Sequence, residues 1–403
     1  MSKLEYPADY VDKIICGDCI EVMKGMEKNS VDAIVTDPPY GLCFMGKDWD
    51  KALPPKEWLI EAMRVLKPGA SIMVMGGTRT FHRMAVMIED AGFVIKDTLC
   101  WLYGSGFPKA QDLRKMIDKR GGDSSGWDGF KIGGIKPAWE PIIWAVKPPE
   151  GAWIDNVLKW GVGAVNVDEC RIGLEGMEIH KTPAKSGLGK KGIYGKSTIE
   201  ELTGKDLVRY TSKGRFPANV VLDEEAGLLL DKKNGISDAR GGIPKGRAGN
   251  DSRFFGKDAF SNNDATYNDS GGASRFFYCA KARRSERNMG CEGLTPKNAT
   301  ELTGRKEGSK GLSGSIEHRN STNPLANGGS VEPSRNHHPT VKPIALMEYI
   351  IKLVTRSGQV VLDPFCGSGS TGCACVKNDR EFIGIDLSED YCEIARRRIA
   401  ASK

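Results

Sequence analysis

Residues 363–372 read DPFCGSGSTG, and they constrain the fold more tightly than any other stretch of the chain. Gly367, Gly369 and Gly372 match G-x-G-x-x-G; the apolar run QVVLD precedes them, and STGCACVKN reads as a helix opening at the turn. A second strand-like run, EFIGIDL, follows and ends near the acid Asp386. A strand, a glycine turn, a helix and a strand closing on an acid form a βαβ unit of a parallel sheet. The position of this unit matters as much as its pattern. About 30 residues follow the turn, enough for one further strand and helix. The strands that complete a doubly wound sheet are therefore expected upstream, and the sheet reads as circularly permuted, with its ligand-binding half C-terminal.

Those strands are legible in the first 150 residues. KIICGD, VDAIVTD, SIMVMGG, FVIKDTLCWLY and PIIWAVK read as strands. CIEVMKGM, KEWLIEAMRVLKPG (apolar at Trp58, Leu59, Met63 and Leu66) and TFHRMAVMIEDAG read as helices. The rhythm stops after Lys147 and returns with PIALMEYIIKLVTRSG, the glycine turn and the terminal helix SEDYCEIARRRIAASK. Arg396, Arg397 and Arg398 in its later turns suit the helix dipole. Between these halves the chain is rich in Gly, Ser, Asn, Lys and Arg. Residues 151–335 carry 29 Lys and Arg against 23 Asp and Glu, whereas the rest of the chain carries 29 of each. The basic excess thus falls entirely in the middle segment and points to a polyanion partner. Residues 303–336 are nearly all polar and read as a mobile loop or linker. The expected organisation is a catalytic half over 1–150, an inserted region over 151–335 and a ligand-binding half over 336–403.

Composition narrows the class. With 403 residues and 39% hydrophobic content the chain can build a large core. It has no run of about 18 apolar residues, so no membrane span is expected. Its opening, MSKLEYPADYVDK, lacks an apolar stretch and does not read as a signal peptide. The 11 cysteines are odd in number and scattered, and no second CxxC accompanies Cys16 and Cys19 at zinc spacing. They read as reduced thiols of a cytoplasmic protein, with no metal. The ligand of the glycine turn is narrowed by Asp363. An acid at the end of the first strand repels a pyrophosphate but accepts from a cationic or amino-bearing ligand, which turns the reading from NAD toward S-adenosylmethionine. An NAD site and an ordinary turn without ligand remain open at this point.

The words GDC (17–19), TDPPYG (36–41), RVLKPG (64–69), HPTVKP (338–343), LDPFCGSGST (362–371) and GIDLSEDY (384–391) occur in this order. Together they resemble the amino-DNA methyltransferases of the permuted β group, over about 1–150 and 336–403. FMGKDWD, GSGFPK and GRFPANV resemble solitary or phage-borne members. The resemblance implies a Rossmann-like sheet that binds S-adenosylmethionine, an inserted target-recognition region, and transfer of a methyl group to an exocyclic amine of DNA. It gives DPPY a chemistry. The lone pair of the amine is conjugated with the ring. Asp37 and the carbonyl of Pro38 would accept its hydrogens and direct the lone pair at the methyl group. The prolines stiffen the turn, and Tyr40 offers a face to an extruded base.

For the cofactor, the resemblance implies Asp386 on the ribose, Asp18 near the adenine amino group, and Phe365, Gly367 and Gly369 as wall and turn. Thr340 and Lys342 would hold the methionine carboxylate. In the insert, SRFFYCAKARRSER interleaves aromatics with Arg275, Lys281, Arg283, Arg284 and Arg287, as phosphate contacts would. A half-buried strand followed by a solvated basic helix fits the same residues. The acid of DPPY favours adenine N6; cytosine N4, a silent DNA-binding protein on this scaffold and an NAD oxidoreductase are the competing readings. DNA is the expected partner, a cognate restriction endonuclease fits the family, and nothing in the sequence fixes the oligomeric state.

Overall fold

The computed structural model describes residues 4–43, 48–104, 106, 110–173, 214–235, 237–239, 269–280, 284–297 and 335–403. Of the expected linker over 303–336, residues 303–334 lie outside the described residues, as do Lys281, Arg283 and the side chain of Arg284. The end of the linker is fixed instead, Asn336 being buried and donating to Arg287 O at 2.7 Å.

An apolar run with no alternation must be covered on both faces, and VDAIVT is so covered: all six residues are buried. The main sheet takes in β1 (Lys13–Cys16), β2 (Val31–Thr36), β3 (Leu66–Met75) and β4 (Val94–Leu102). Beyond a short hairpin, β5 (Ala110–Asp112) and β6 (Lys131–Gly133), it continues with β7 (Trp139–Val146) and β8 (Val220–Asp223). A second ribbon, β9 (Ser237–Ala239) with β10 (Asp269–Gly271), comes before β11 (Tyr278–Ala280), β12 (Val360–Asp363) and β13 (Glu381–Asp386).

The nine strands of the main sheet lie in the order β1-β13-β12-β2-β3-β7-β4-β8-β11. From β12 the chain steps outward through β13 while β1 closes that flank; from β2 it steps the other way through β3. β1, β13, β12, β2 and β3 are parallel, and β7 runs antiparallel between β3 and β4. The permuted order expected from the glycine turn is this topology: C-terminal strands sit between two N-terminal ones. β12 and β2 are neighbours with parallel carboxyl ends, so the direction of winding reverses between them. In open α/β sheets ligands bind at that crevice. The buried acid Asp32 fastens the seam, accepting from Val360 N at 2.9 Å and from Lys67 Nζ at 2.6 Å.

Side chains alternate across a strand. Ile34, Ile72, Val74, Ile143, Leu362, Ile383 and Ile385 share one core with Trp58, Leu59, Met84 and Ile88. The opposite residues Ala33, Val35, Met73, Ile142 and Val361 are equally buried. One boundary departs from expectation. The second helix spans Glu57–Val65, and LKPG belongs to β3, because Leu66 pairs with Val31 ahead of a register shift.

The chain divides into two units: Met1–Asn166 with Asn219–Ala226 and Cys279–Lys403, and Val167–Ala218 with Gly227–Tyr278. The first unit holds both halves of the sheet and, from the middle segment, VVLD, which pairs as β8 with β4. In the second, Ile172 bridges to Arg215, and Asp231 accepts from the backbone and hydroxyl of Ser274. Among the described residues no helix is long and apolar enough to cross a membrane.

Candidate active site

The glycine turn leaves β12 at Asp363 and enters the helix Ser370–Lys377. Gly367 and Gly369 take φ of +51° and +78°, where a side chain is strained. The space is also closed: a Cβ on Gly367 would stand 2.7 Å from His338 Nε2, and one on Gly369 2.8 Å from Ala395 Cβ. Asp386, at the end of β13, braces the turn. Its two oxygens accept from Gly367 N and Ser388 N, both at 2.9 Å, and burial raises its pKa. Phe365 stands edge-on to Trp58, with ring centroids 5.2 Å apart. Asp18 is the N-cap of the helix Cys19–Lys24, accepting from Ile20 N and Glu21 N, and it stays exposed.

Asp363 has a different part from the one the sequence suggested. It is 4% exposed, and its oxygens accept from Thr36 Oγ1 at 2.6 Å, Thr371 Oγ1 at 2.5 Å and Phe365 N at 3.1 Å. Burial pushes its pKa up to about 6 against those donors. It ties the residue before Asp37 to the glycine turn rather than reaching toward a ligand.

Asp37 and Tyr40 follow β2 at the same edge. Tyr40 Oη donates to Asp37 Oδ1 at 2.6 Å and lies 3.3 Å from Glu140 Oε2. Pro38 is buried between them. Lys342 was expected on the methionine carboxylate; its ammonium instead pairs with Asp37 Oδ2 at 2.5 Å and stands 3.6 Å from Glu140. An ammonium with only 10% of its side chain exposed needs counter-charges. Burial alone would lower the Lys342 pKa, but Asp37 and Glu140 outweigh it and hold the ammonium protonated. The Lys342 carbonyl accepts from Ser370 Oγ at 2.9 Å, so HPTVKP spans the two motifs. Thr340 is half-buried beside His338, whose Nδ1 lies 3.4 Å from Thr340 N.

The expected phosphate contacts meet different surroundings. Arg287 is half-buried and donates to His338 O at 2.7 Å; burial and the nearby Arg398 lower its pKa. Its charge supports HPTVKP from inside instead of facing open solvent. Arg275 donates to the carbonyls of Gly271 and Gly272 and stacks 4.4 Å from the Phe276 ring centroid.

Three further residues shape the site and escaped the sequence reading. Asp50 is 2% exposed and accepts from Tyr40 N, Gly41 N and Leu42 N, which fixes the turn behind DPPY. Glu140 adds a second carboxylate to the corner. Arg398 is fully buried and donates to Ser368 O, Ser368 Oγ and Ser370 Oγ. Its place on the stripe of Ile394, Ala395 and Ile399 was the available signal, against the dipole role first read for it. Among the described residues, Cys16, Cys392 and Glu389 bring ligand atoms within 4.8 Å of one another. Burial raises both thiols, Cys392 to about 12, and Glu389 pairs with Arg396 at 2.6 Å.

A DNA methylase family model matches residues 31–397, nearly the whole chain and both halves of this site. The chain belongs to the DNA methylase family. As an amino-DNA methylase it is similar to the type II methyltransferase M.HindIII of Haemophilus influenzae, 29% identical in an alignment of 203 positions that covers 39% of this chain and 65% of the relative. M2.DpnII of Streptococcus pneumoniae is 48% identical over 71 residues, 18% of this chain and 26% of the relative. The chain thus spans under two thirds of either relative. M.HpaI of Haemophilus parainfluenzae is 22% identical over 398 residues, 96% of this chain and 74% of the relative. The crystal structure of M1.HpyAVI is 16% identical, with a TM-score of 0.41 covering 96% of this chain and 98% of that one.

The cofactor of this family is S-adenosylmethionine, and the residues fit it. Gly367 and Gly369 hold the turn in its left-handed conformation at the carboxyl end of β12, the strand-end position at which open α/β sheets bind ligands. Asp386 offers remaining lone pairs at the strand end, where ribose hydroxyls would donate.

Proposed function

We propose that this chain transfers a methyl group from S-adenosylmethionine to N6 of adenine in duplex DNA. The observation that carries the reading is Asp37 at the carboxyl end of β2, its carboxylate fixed by Tyr40 and Lys342 beside the glycine turn. S-adenosylmethionine supplies a methyl group on a positively charged sulfur. Asp386, Phe365, Gly367 and Gly369 hold it, with Thr340 and Asp18 at its two ends. The chain's task is to make a poor nucleophile attack that carbon. A carboxylate has about four lone-pair sites, and two on Asp37 are engaged, so others are left for an amine hydrogen. The Pro38 carbonyl takes the second hydrogen, and the lone pair is turned out of the ring. The base is stacked on Tyr40 after extrusion from the duplex, which costs a few kcal/mol.

Adenine is favoured by the acid at position 37, and the DNA adenine methyltransferase YhdJ of Escherichia coli is 43% identical over 63 residues. The insert over 151–335, with its basic excess, contacts the DNA and selects the site. Several relatives are named type II methyltransferases, so a cognate restriction endonuclease is a fitting partner for a cytoplasmic enzyme of this kind. The test is to incubate the protein with S-adenosylmethionine and diverse duplex DNA, digest to nucleosides and separate them by mass spectrometry. N6-methyladenine is expected. N4-methylcytosine alone would move the reading to the sister reaction, and cofactor binding without methylation would favour a silent DNA-binding protein.

A further inference from the structure

The corner of Asp37, Tyr40, Lys342 and Glu140 holds two carboxylates, one ammonium and one phenol. Glu140 is the second residue of β7, and the antiparallel run of that strand brings its beginning to the edge where β2 ends. Tyr40 Oη stands between the carboxylates, 2.6 Å from Asp37 Oδ1 and 3.3 Å from Glu140 Oε2. A hydroxyl has one proton to donate and lone pairs to accept another. The geometry is therefore that of a relay, with its proton resting on the Asp37 side.

Methyl transfer to an exocyclic amine leaves a proton to dispose of. The nitrogen that gains the methyl group is cationic until one N–H bond breaks. Both oxygens of Asp37 are already engaged, Oδ2 by the Lys342 ammonium and Oδ1 by the Tyr40 hydroxyl. Glu140 is better suited. Burial raises its pKa, Lys342 opposes the rise, and Asp37 adds to it. Tyr40 is raised well above the ordinary phenol by burial and by both carboxylates, so it hands protons on without lingering as a phenolate.

We propose that Glu140 is a positioning residue of the methyl transfer that takes up, through Tyr40 Oη, the proton released by the target amine. The inference rests on the function proposed above. The amine lone pair forms the bond to the methyl carbon, and the carbon–sulfur bond breaks with its pair going to sulfur, leaving a neutral thioether. The N–H bond then breaks and its proton passes to Asp37 Oδ1. Tyr40 Oη gives its own proton to Glu140 Oε2 and recovers one from Asp37. The sulfonium has lost its positive charge and Glu140 its negative one, so charge balances. Lys342 stays protonated throughout. With 24% of its side chain exposed, Glu140 can return the proton to water between turnovers.

The groups facing Glu140 are Asp37, Tyr40, Lys342 and Tyr103, whose phenol is itself raised by burial and by Glu140. Glu140 must be ionised to accept, so the rate of methyl transfer falls as pH drops through its raised pKa. Glu140→Gln cannot take the proton. Single-turnover methylation of duplex DNA from about pH 5 to 9 should show this variant at least about tenfold slower than the parent, with the acid limb gone. Tyr40→Phe keeps the ring face but loses the relay oxygen, and should slow similarly, while Glu140→Asp regains part of the rate. Cofactor affinity by calorimetry should match the parent in Glu140→Gln, which separates the relay from a general loss of structure. A Glu140→Gln protein that keeps the parental acid limb, or a Tyr40→Phe protein at the parental rate, overturns the relay alone. A parent that methylates neither adenine nor cytosine overturns the proposed function, and the relay with it.

Discussion

Single residues at the two strand ends have separable duties, and calorimetry tells them apart. Asp386 braces the glycine turn and offers acceptors to the ribose, so Asp386→Ala should weaken cofactor binding by the roughly 1.5–3 kcal/mol of a charged hydrogen bond. Asp37 addresses the target amine, so Asp37→Ala should abolish turnover with little change in cofactor affinity. Parental affinity in Asp386→Ala would remove that acid from the cofactor site. The words DPPY and GSG were readable in the sequence because their chemistry depends on adjacent residues. The partners of Asp37 were not. Lys342 lies 305 residues away and Glu140 belongs to another strand, and only the sheet brings them together. Asp50 was hidden for the same reason: an acid that accepts from three backbone groups looks in sequence like any surface acid.

At the scale of elements, the glycine turn is the most tightly specified piece. Gly369 combines a left-handed backbone with a neighbour in the terminal helix, since its Cβ would stand 2.8 Å from that of Ala395. Gly369→Ala should therefore lower the thermal midpoint, and it should weaken cofactor binding as the turn shifts. A variant with parental melting and affinity would mean that the turn is more tolerant than its packing implies. Strands and helices of the α/β halves were legible from continuous apolar runs and helical spacing, because burial on both faces of β2 and amphipathic faces on Glu57–Val65 leave that imprint. The start of β3 was not legible. LKPG carries a helix-ending proline and glycine, yet the pairing of Leu66 with Val31 draws it into the sheet. VVLD at 220–223 was similarly obscured, since nothing local says that an apolar piece of the basic segment will pair with β4.

For the whole molecule, charge and topology carry the remaining consequences. If the insert touches DNA, replacing Arg283 and Arg284 by alanine should flatten the log–log salt dependence of DNA affinity by about 0.9 for each phosphate that is no longer neutralised. The methylated sequence should be retained, because arginines on phosphates position the protein without reading bases. An unchanged slope, measured beside the parent, would remove these arginines from the DNA surface. The interleaved sheet also sets a timetable for biosynthesis. β1 ends at Cys16, and its neighbour β13 begins about 365 residues later, at Glu381. At about 5–20 residues per second on the ribosome, that is roughly 20 to 70 s. For that interval β1 has no partner, and β2 lacks the neighbour β12 that flanks it. The nascent chain therefore leaves the exit tunnel with apolar strand edges open until β12 and β13 have emerged.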